Sequence, residues 1–232
     1  MNAPSRVFLL AFCLITILEI TGDMLGNRYV HYLFKPLIMG LLLGWVWQQR
    51  TAWRGNRIMR WLVAGMVFAL LGDVFLMIRE VDLFGPGLAS FLLMQVCYIA
   101  AFARQIWFSG RGFNRGQLLL WTFGLLVYAS FFLSYLYTPF HQTPGTNGLW
   151  IPVVVYVVFL SSMAIMASLR RGAVKRASYQ WVLLGAILFV ISDSVIALAR
   201  FAYPFSGASL VIMATYAAAQ YLIVVGVVRT IR

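Results

Sequence analysis

The stretch YQWVLLGAILFVISDSVIALAR occupies residues 179–200 and is apolar almost without interruption before Asp193. Its length matches the roughly 20 residues that a helix needs to cross the hydrocarbon core of a bilayer. A strand of an outer-membrane barrel would instead alternate apolar and polar residues over about ten positions. Working outward, further apolar runs of comparable length lie at 7–22, 30–48, 60–78, 86–107, 117–138, 149–169 and 208–228. The expected fold is therefore all-α, a polytopic transmembrane bundle of about eight helices. Eight spans use roughly 160 positions, so residues 1–232 read as a single transmembrane helical domain whose function lies in the bundle and its short loops.

Composition points the same way. The 232 residues are 62% hydrophobic and 10% charged, against roughly 25% charged in soluble domains. A net charge of +12 would suggest nucleic acid as a partner in a soluble protein. Here the bases sit at the ends of the apolar runs, which is the footprint of membrane topology, so no nucleic-acid partner is expected. The first run follows Arg6 as a signal peptide would, but it carries Glu19 and Asp23 and lacks a small-residue cleavage site, so it is read as the first helix.

With the N-terminus in the cytoplasm, 14 of the 18 bases fall inside. They are Arg6, Arg50, Arg54, Arg57, Arg60, Arg104, Arg111, Arg115, Arg170, Arg171, Lys175, Arg176, Arg229 and Arg232. Arg28, Lys35, Arg79 and Arg200 fall outside. This asymmetry predicts that both termini are cytoplasmic, in a bacterial inner membrane. Thr138, Pro139, Pro144, Gly145 and Asn147 read as an outward-facing loop. Gly40 and Gly44 have the small-xxx-small spacing of close helix packing.

An internal echo runs through the chain. Gly72, Asp73, Val74 and Phe75 match Ser192, Asp193, Ser194 and Val195 at an offset of 120 residues. Pro36 and Pro152 match at an offset of 116. Four spans separate the copies, so both would run in the same direction, as two parallel four-helix repeats.

Ionisable groups inside a span are costly to bury and usually face the bundle interior or a wet cavity. Asp73 and Asp193 precede Arg79 and Arg200 by six and seven residues, which places each carboxylate roughly 10 Å inside the outer end of its helix. Glu19 lies at a similar level. In the plainest alternative each acid pairs with a nearby base, Asp73 with Arg79, Asp193 with Arg200 and Glu19 with Lys35, although spacings of six and seven depart from the favourable i+3 and i+4 geometry. Gln95, Tyr98, Tyr156, Ser192, Tyr216 and Gln220 fall at related depths and complete a candidate polar pocket. His31 and His141 read as lying in or near outside loops. With so few nitrogen and sulfur ligands no metal site is expected, nor any other cofactor. No serine sits in a nucleophile elbow.

The run Lys35, Pro36, Leu37, the segment Gly72, Asp73, Val74, Phe75, Leu76, the stretch Phe91–Tyr98, and the later Gly185–Asp193 with Arg200, Phe201, Pro204, Met213, Thr215, Tyr216 and Gln220 resemble the YhhN-like lysoplasmalogenases. The resemblance covers about residues 30–228 in the expected order. It implies a hydrolase that cleaves the vinyl ether bond of lysoplasmalogens, a class of lysophospholipid, to a fatty aldehyde and glycerophosphoethanolamine or glycerophosphocholine. The family's paired aspartates carry over onto Asp73 and Asp193. Gln95 stands where the family commonly has a histidine.

The residues fit that chemistry in their own right. A vinyl ether is hydrolysed by protonation on carbon, giving an oxocarbenium ion that water captures. The reaction needs an acid still protonated near neutral pH and an anion beside the cation, roles that two carboxylates in a low-dielectric site divide between them, as in glycoside hydrolysis. Lys35 and Arg200, nearer the surface, are candidates for the substrate phosphate, with Glu19 and the polar groups above as further binding residues. The rival reading is a transporter or lipid-binding protein that uses the same aspartates as proton or cation sites.

Overall fold

The computed structural model describes residues 3–78, 80–110, 112, 114–142, 146 and 148–230. Arg79, Arg111, Pro144, Gly145, Asn147 and Arg232 lie outside the described residues. Among those described, the chain forms α1 (Arg6–Met24), α2 (Arg28–Gln48), α3 (Arg50–Trp53), α4 (Arg57–Met77), α5 (Phe84–Phe108), α6 (Arg115–Gln142), α7 (Trp150–Leu169), α8 (Arg176–Phe201) and α9 (Ala208–Val228). All but α3 are long and apolar enough to cross a membrane, and the chain is a multi-pass membrane protein.

Helices α1, α2 and α4 start where a side chain satisfies their first amides. Ser5 Oγ accepts from the Phe8 amide at 3.1 Å and Asn27 Oδ1 from Val30 at 3.3 Å. Asn56 Oδ1 accepts from Ile58 and Met59 at 2.9 and 3.3 Å. The short α3 has no counterpart in the hydrophobic pattern. It exists because Trp53 folds back and donates its indole N–H to the Val46 carbonyl at 3.0 Å, sealing the cut end of α2. Thr138 and Pro139, read above as loop, belong instead to the last turn and a half of α6. A single missing N–H near a helix end removes one hydrogen bond, and the helix runs on.

The most extensive pairings are α4 with α5 and α8 with α9, the equivalent pairs of the two halves. Glycines explain the closeness. A Cβ on Gly65 would stand 2.6 Å from the Tyr98 ring, and one on Gly185, 120 residues later, 2.9 Å from the Ala219 carbonyl oxygen. The residue before each aspartate also lies against the following helix. Gly72 abuts Phe91, and Ser192 Oγ donates to the Ile212 carbonyl at 3.0 Å. At Gly40 and Gly44, by contrast, an added methyl group would meet nothing within 4 Å. The expected close packing there is thus not made within the chain, because α2 turns Ile38, Met39 and Leu42 inward instead.

The core combines those α2 residues with Leu62 and Met66 of α4, Phe102 of α5, Met163 of α7, Phe189 of α8 and Val224 of α9. Helix α6 stands at the side and buries only Gln117, Phe132, Leu136 and Phe140. Its outer face, including Leu119, Leu120 and Phe123, is exposed. At the end of the bundle where α7 meets α8, buried Arg170 is held by neutral groups among the described residues. Its Nε donates to Gln105 Oε1 at 2.6 Å, and its Nη2 to Ser178 Oγ at 2.9 Å. The six acidic residues, Glu19, Asp23, Asp73, Glu80, Asp82 and Asp193, all lie toward the opposite end.

Candidate functional site

Gly26, with φ of +67°, turns α1 into α2, and Gly22 lets the two helices close on each other, since a Cβ there would stand 2.5 Å from Val30. This contact drives His31 against the end of α1. Its Nδ1 stands 3.1 Å from Glu19 Oε1 and 3.4 Å from Asp23 Oδ1, and both His31 and Glu19 are buried. Ser209 Oγ of α9 donates to the second oxygen of Asp23. His31, placed near a loop by sequence, is therefore an interior residue of the first turn of α2. Glu19 faces this histidine and not Lys35, the base that simple acid–base pairing would assign to it.

Asp73 lies one turn from the end of α4 and is only 2% exposed. Tyr216 of α9 donates to its Oδ2 at 2.7 Å. Lys35 of α2 and Glu19 are its charged neighbours. Tyr98 donates to Gln220 Oε1 at 2.8 Å, and Gln220 Nε2 reaches Met94 Sδ at 3.3 Å. This interior staple between α5 and α9 lies one turn below Tyr216. Phe91 closes the Asp73 region from the side, with its ring centroid 5.9 Å from that of Tyr216 and 6.3 Å from that of Phe189.

Asp193 is only partly buried. Tyr156 of α7 donates to its Oδ2 at 2.6 Å, and next to it Ser194 shares a 2.6 Å hydrogen bond with Tyr128 of α6. Gln95 is fully buried beside Tyr156, within reach of its hydroxyl. Ser192 commits its hydroxyl to the α9 backbone and so serves packing.

Asp193, Tyr156, Tyr128 and Ser194 are the polar residues along a narrow cavity of about 40 Å³ that is otherwise apolar, with Leu88, Phe91, Phe132 and Leu160 among its walls. Asp73 does not line it. A second cavity of about 490 Å³ is polar at its mouth, where Lys35, Arg200, Asp23, Asp82 and Ser209 meet. Leu76, Phe84 and Ile196 line both cavities. Arg200 does not pair with Asp193. Its Nη2 lies 2.5 Å from Asp82 Oδ2 at the rim. The candidate residues thus fall into two groups at adjoining cavities, cations at the outer one and Asp193 with Tyr156 at the inner one, while Asp73, Tyr216, Tyr98 and Gln220 stand behind the Phe91 wall.

A family model matches residues 30–227. The chain belongs to the YhhN family. Among its relatives, the lysoplasmalogenase of Mycobacterium bovis is 35% identical over 88% of this chain and 73% of its own length. Human lysoplasmalogenase TMEM86B is 31% identical over 96% of this chain and 85% of its own length. Mouse lysoplasmalogenase TMEM86B is 34% identical over 73% of this chain. The match spans 64% of that mouse protein and 65% of bovine lysoplasmalogenase TMEM86A, just under two thirds of each. No solved structure matches. The segment matched to the YhhN family contains both aspartates, both tyrosines that hold them, Lys35 and Arg200, whereas Glu19 and Asp23 precede it.

Asp82, Tyr128, Ser194, Ser209 and the interior position of His31 are not evident from sequence. Asp82 and Ser209 sit outside the apolar runs or at their edge, and Tyr128 is one tyrosine in an apolar helix. Only His31 carries a usable signal, as a lone histidine 12 residues after an intramembrane glutamate. Among the described residues, no group of three or more His, Cys, Asp or Glu side chains is arranged to hold a metal ion.

Proposed function

We propose that this chain is a lysoplasmalogenase, hydrolysing the vinyl ether bond of a lysophospholipid to a fatty aldehyde and a glycerophosphoethanolamine or glycerophosphocholine. The observation that carries the reading is a cation-lined mouth that adjoins, across Leu76, Phe84 and Ile196, an apolar cavity holding Asp193 and Tyr156. A lysolipid has the same order of parts, a phosphate head, then the scissile ether, then one long chain. Lys35 and Arg200 hold the phosphate, and the alkenyl chain lies along Leu88, Phe132 and Leu160. A chamber of this chemistry accords with the lysoplasmalogenase names of the relatives.

Chemistry at the acids follows from the substrate. A carboxylic acid gives its proton to the alkene carbon one removed from oxygen, and the cation that forms is shared between the adjacent carbon and the ether oxygen. The second carboxylate, ionised, stabilises that cation from behind Phe91, and Asp193, deprotonated by the first step, accepts a proton from the water that adds to it. The resulting hemiacetal collapses, its C–O bond to glycerol breaks, and aldehyde and alcohol leave with one water consumed. Preorganised charge of this kind supplies much of an enzyme's rate enhancement. Tyr156 and Tyr216 fix the two carboxyl groups, and the buried Gln95 amide beside Tyr156 is placed to meet the substrate oxygens. Neither metal nor covalent nucleophile is needed.

The basic asymmetry further supports a bacterial inner-membrane protein with both termini in the cytoplasm, which puts the mouth on the outer side; the whole chain acts as one transmembrane domain. Incubating purified protein with a defined lysoplasmalogen and detecting aldehyde tests the reading. A transporter working through the same aspartates would release none.

A further inference from the structure

At the acid-free end of the bundle, α4 and α5 carry two adjoining hollows of about 340 and 460 Å³ that share Arg57, Trp61 and Arg104. Arg60 completes the rim on one side and Trp107 on the other. Arg57 and Arg60 are spaced i, i+3 and so share a face of α4, and Arg104 answers them from α5. No acidic side chain is within reach, because all six acidic residues lie toward the other end. The arginines of that other end contrast with these: Arg200 has Asp82, and Arg28 lies 3.9 Å from Glu80. Arg170, at the same end as the groove, is buried and satisfied by Gln105 and Ser178.

We propose that this groove binds the headgroup of an anionic phospholipid, with the phosphate held by Arg57, Arg60 and Arg104. Guanidinium groups match phosphate oxygens with two parallel hydrogen bonds each, which a point charge does not. Trp61 and Trp107 are exposed, Trp107 at 83%, and tryptophan favours the headgroup level of a membrane. The floor is made of Ala64, Ala100 and Ala103, small side chains that leave room for the upper part of an acyl chain. It ends one residue further along α4, where Gly65 meets Tyr98 and Cys97. An inorganic phosphate would use only the rim. A lipid uses rim, tryptophans and floor together. Basic residues flank most membrane spans for reasons of topology alone, but topology calls for no groove between two helices with the charges converging on it. The site lies at the opposite end of the bundle from the proposed hydrolase chamber and does not depend on that reading.

The test uses the full-length protein reconstituted in bilayers holding equal amounts of phosphatidylglycerol and phosphatidylethanolamine, then extracted gently and examined by native mass spectrometry. Wild type should retain phosphatidylglycerol in clear excess. The triple variant Arg57→Gln, Arg60→Gln, Arg104→Gln should lose that excess by about tenfold or more, as charge-assisted hydrogen bonds are removed. Arg50→Gln with Arg54→Gln, which removes charge from the same end but outside the groove, should retain it. Ala100→Phe keeps every arginine and fills the floor, and it too should lose the lipid, so the proposal does not hang on the triple variant's folding. Equal retention of the two lipids by wild type would overturn it. So would equal losses in the groove and control variants, or displacement of the lipid by millimolar inorganic phosphate.

Discussion

Asp73 and Asp193 occupy equivalent places in the two halves of the chain, 120 residues apart, each one residue after a small side chain that packs on the next helix. Each also accepts a hydrogen bond from one tyrosine of another helix, at 2.7 and 2.6 Å. Their surroundings differ. Asp193 opens on the apolar cavity. Asp73 is sealed between α4 and α9, behind Phe91, with Lys35 and Glu19 as its charged neighbours. A repeated scaffold thus carries one carboxyl group that lines a cavity and one that sits in a charged interior. Two acids in unlike settings suit a reaction that needs one as proton donor and the other as anion.

The largest effects should come from the acids themselves. Asp193→Asn and Asp73→Asn each keep shape while removing a proton or a charge, and general acid–base catalysis contributes about 100-fold to 10,000-fold. Both variants should therefore lose at least about 100-fold in turnover while extracting at normal yield. If Asp73→Asn alone stayed near wild type, the comparison would break in favour of a single working acid at the cavity.

The tyrosines come next. A hydrogen bond to a charged group is worth about 1.5–3 kcal/mol, so Tyr156→Phe and Tyr216→Phe should each slow turnover about 10- to 100-fold. A Tyr216→Phe effect far below that of Tyr156→Phe would separate the halves by function. Heavy water should slow wild-type turnover by a factor of a few, because carbon protonation is the expected slow step. A solvent isotope effect of one would place the slow step elsewhere.

The mildest change belongs to the mouth. Arg200 is exposed and paired with Asp82, and exposed pairs contribute about 0–1 kcal/mol. Arg200→Gln should therefore raise KM by up to about fivefold with kcat retained. A loss confined to kcat would argue against phosphate binding at that position.

Much of this design is legible in the sequence, for identifiable reasons. Continuous apolar runs fix eight spans, because a helix in lipid must satisfy its backbone internally. Asp73 and Asp193 announce themselves, because carboxylates inside a span are rare. Other features are tertiary. Gly40 and Gly44 carry a packing signature, yet the close crossings occur at Gly65 and Gly185, since which face of a helix meets a neighbour depends on the whole bundle. The cavity draws walls from α4 through α8, and no local pattern records it. His31 reads as a loop residue because it lies in the first turn of α2, where loop and helix share a polar appearance, and only the close crossing at Gly22 turns it inward. The staple of Tyr98 with Gln220 spans 122 residues and can be anticipated only as a shared depth.

The most direct test of the two-carboxylate mechanism is aldehyde release from one defined lysoplasmalogen, measured side by side for purified wild type, Asp73→Asn and Asp193→Asn. Wild type should release aldehyde and the glycerophospho headgroup in equal amounts, and both folded variants should be slower by at least about 100-fold. Aldehyde release by either folded variant within a few-fold of wild type would contradict the two-carboxylate mechanism, and no aldehyde from folded wild type would contradict the proposed activity.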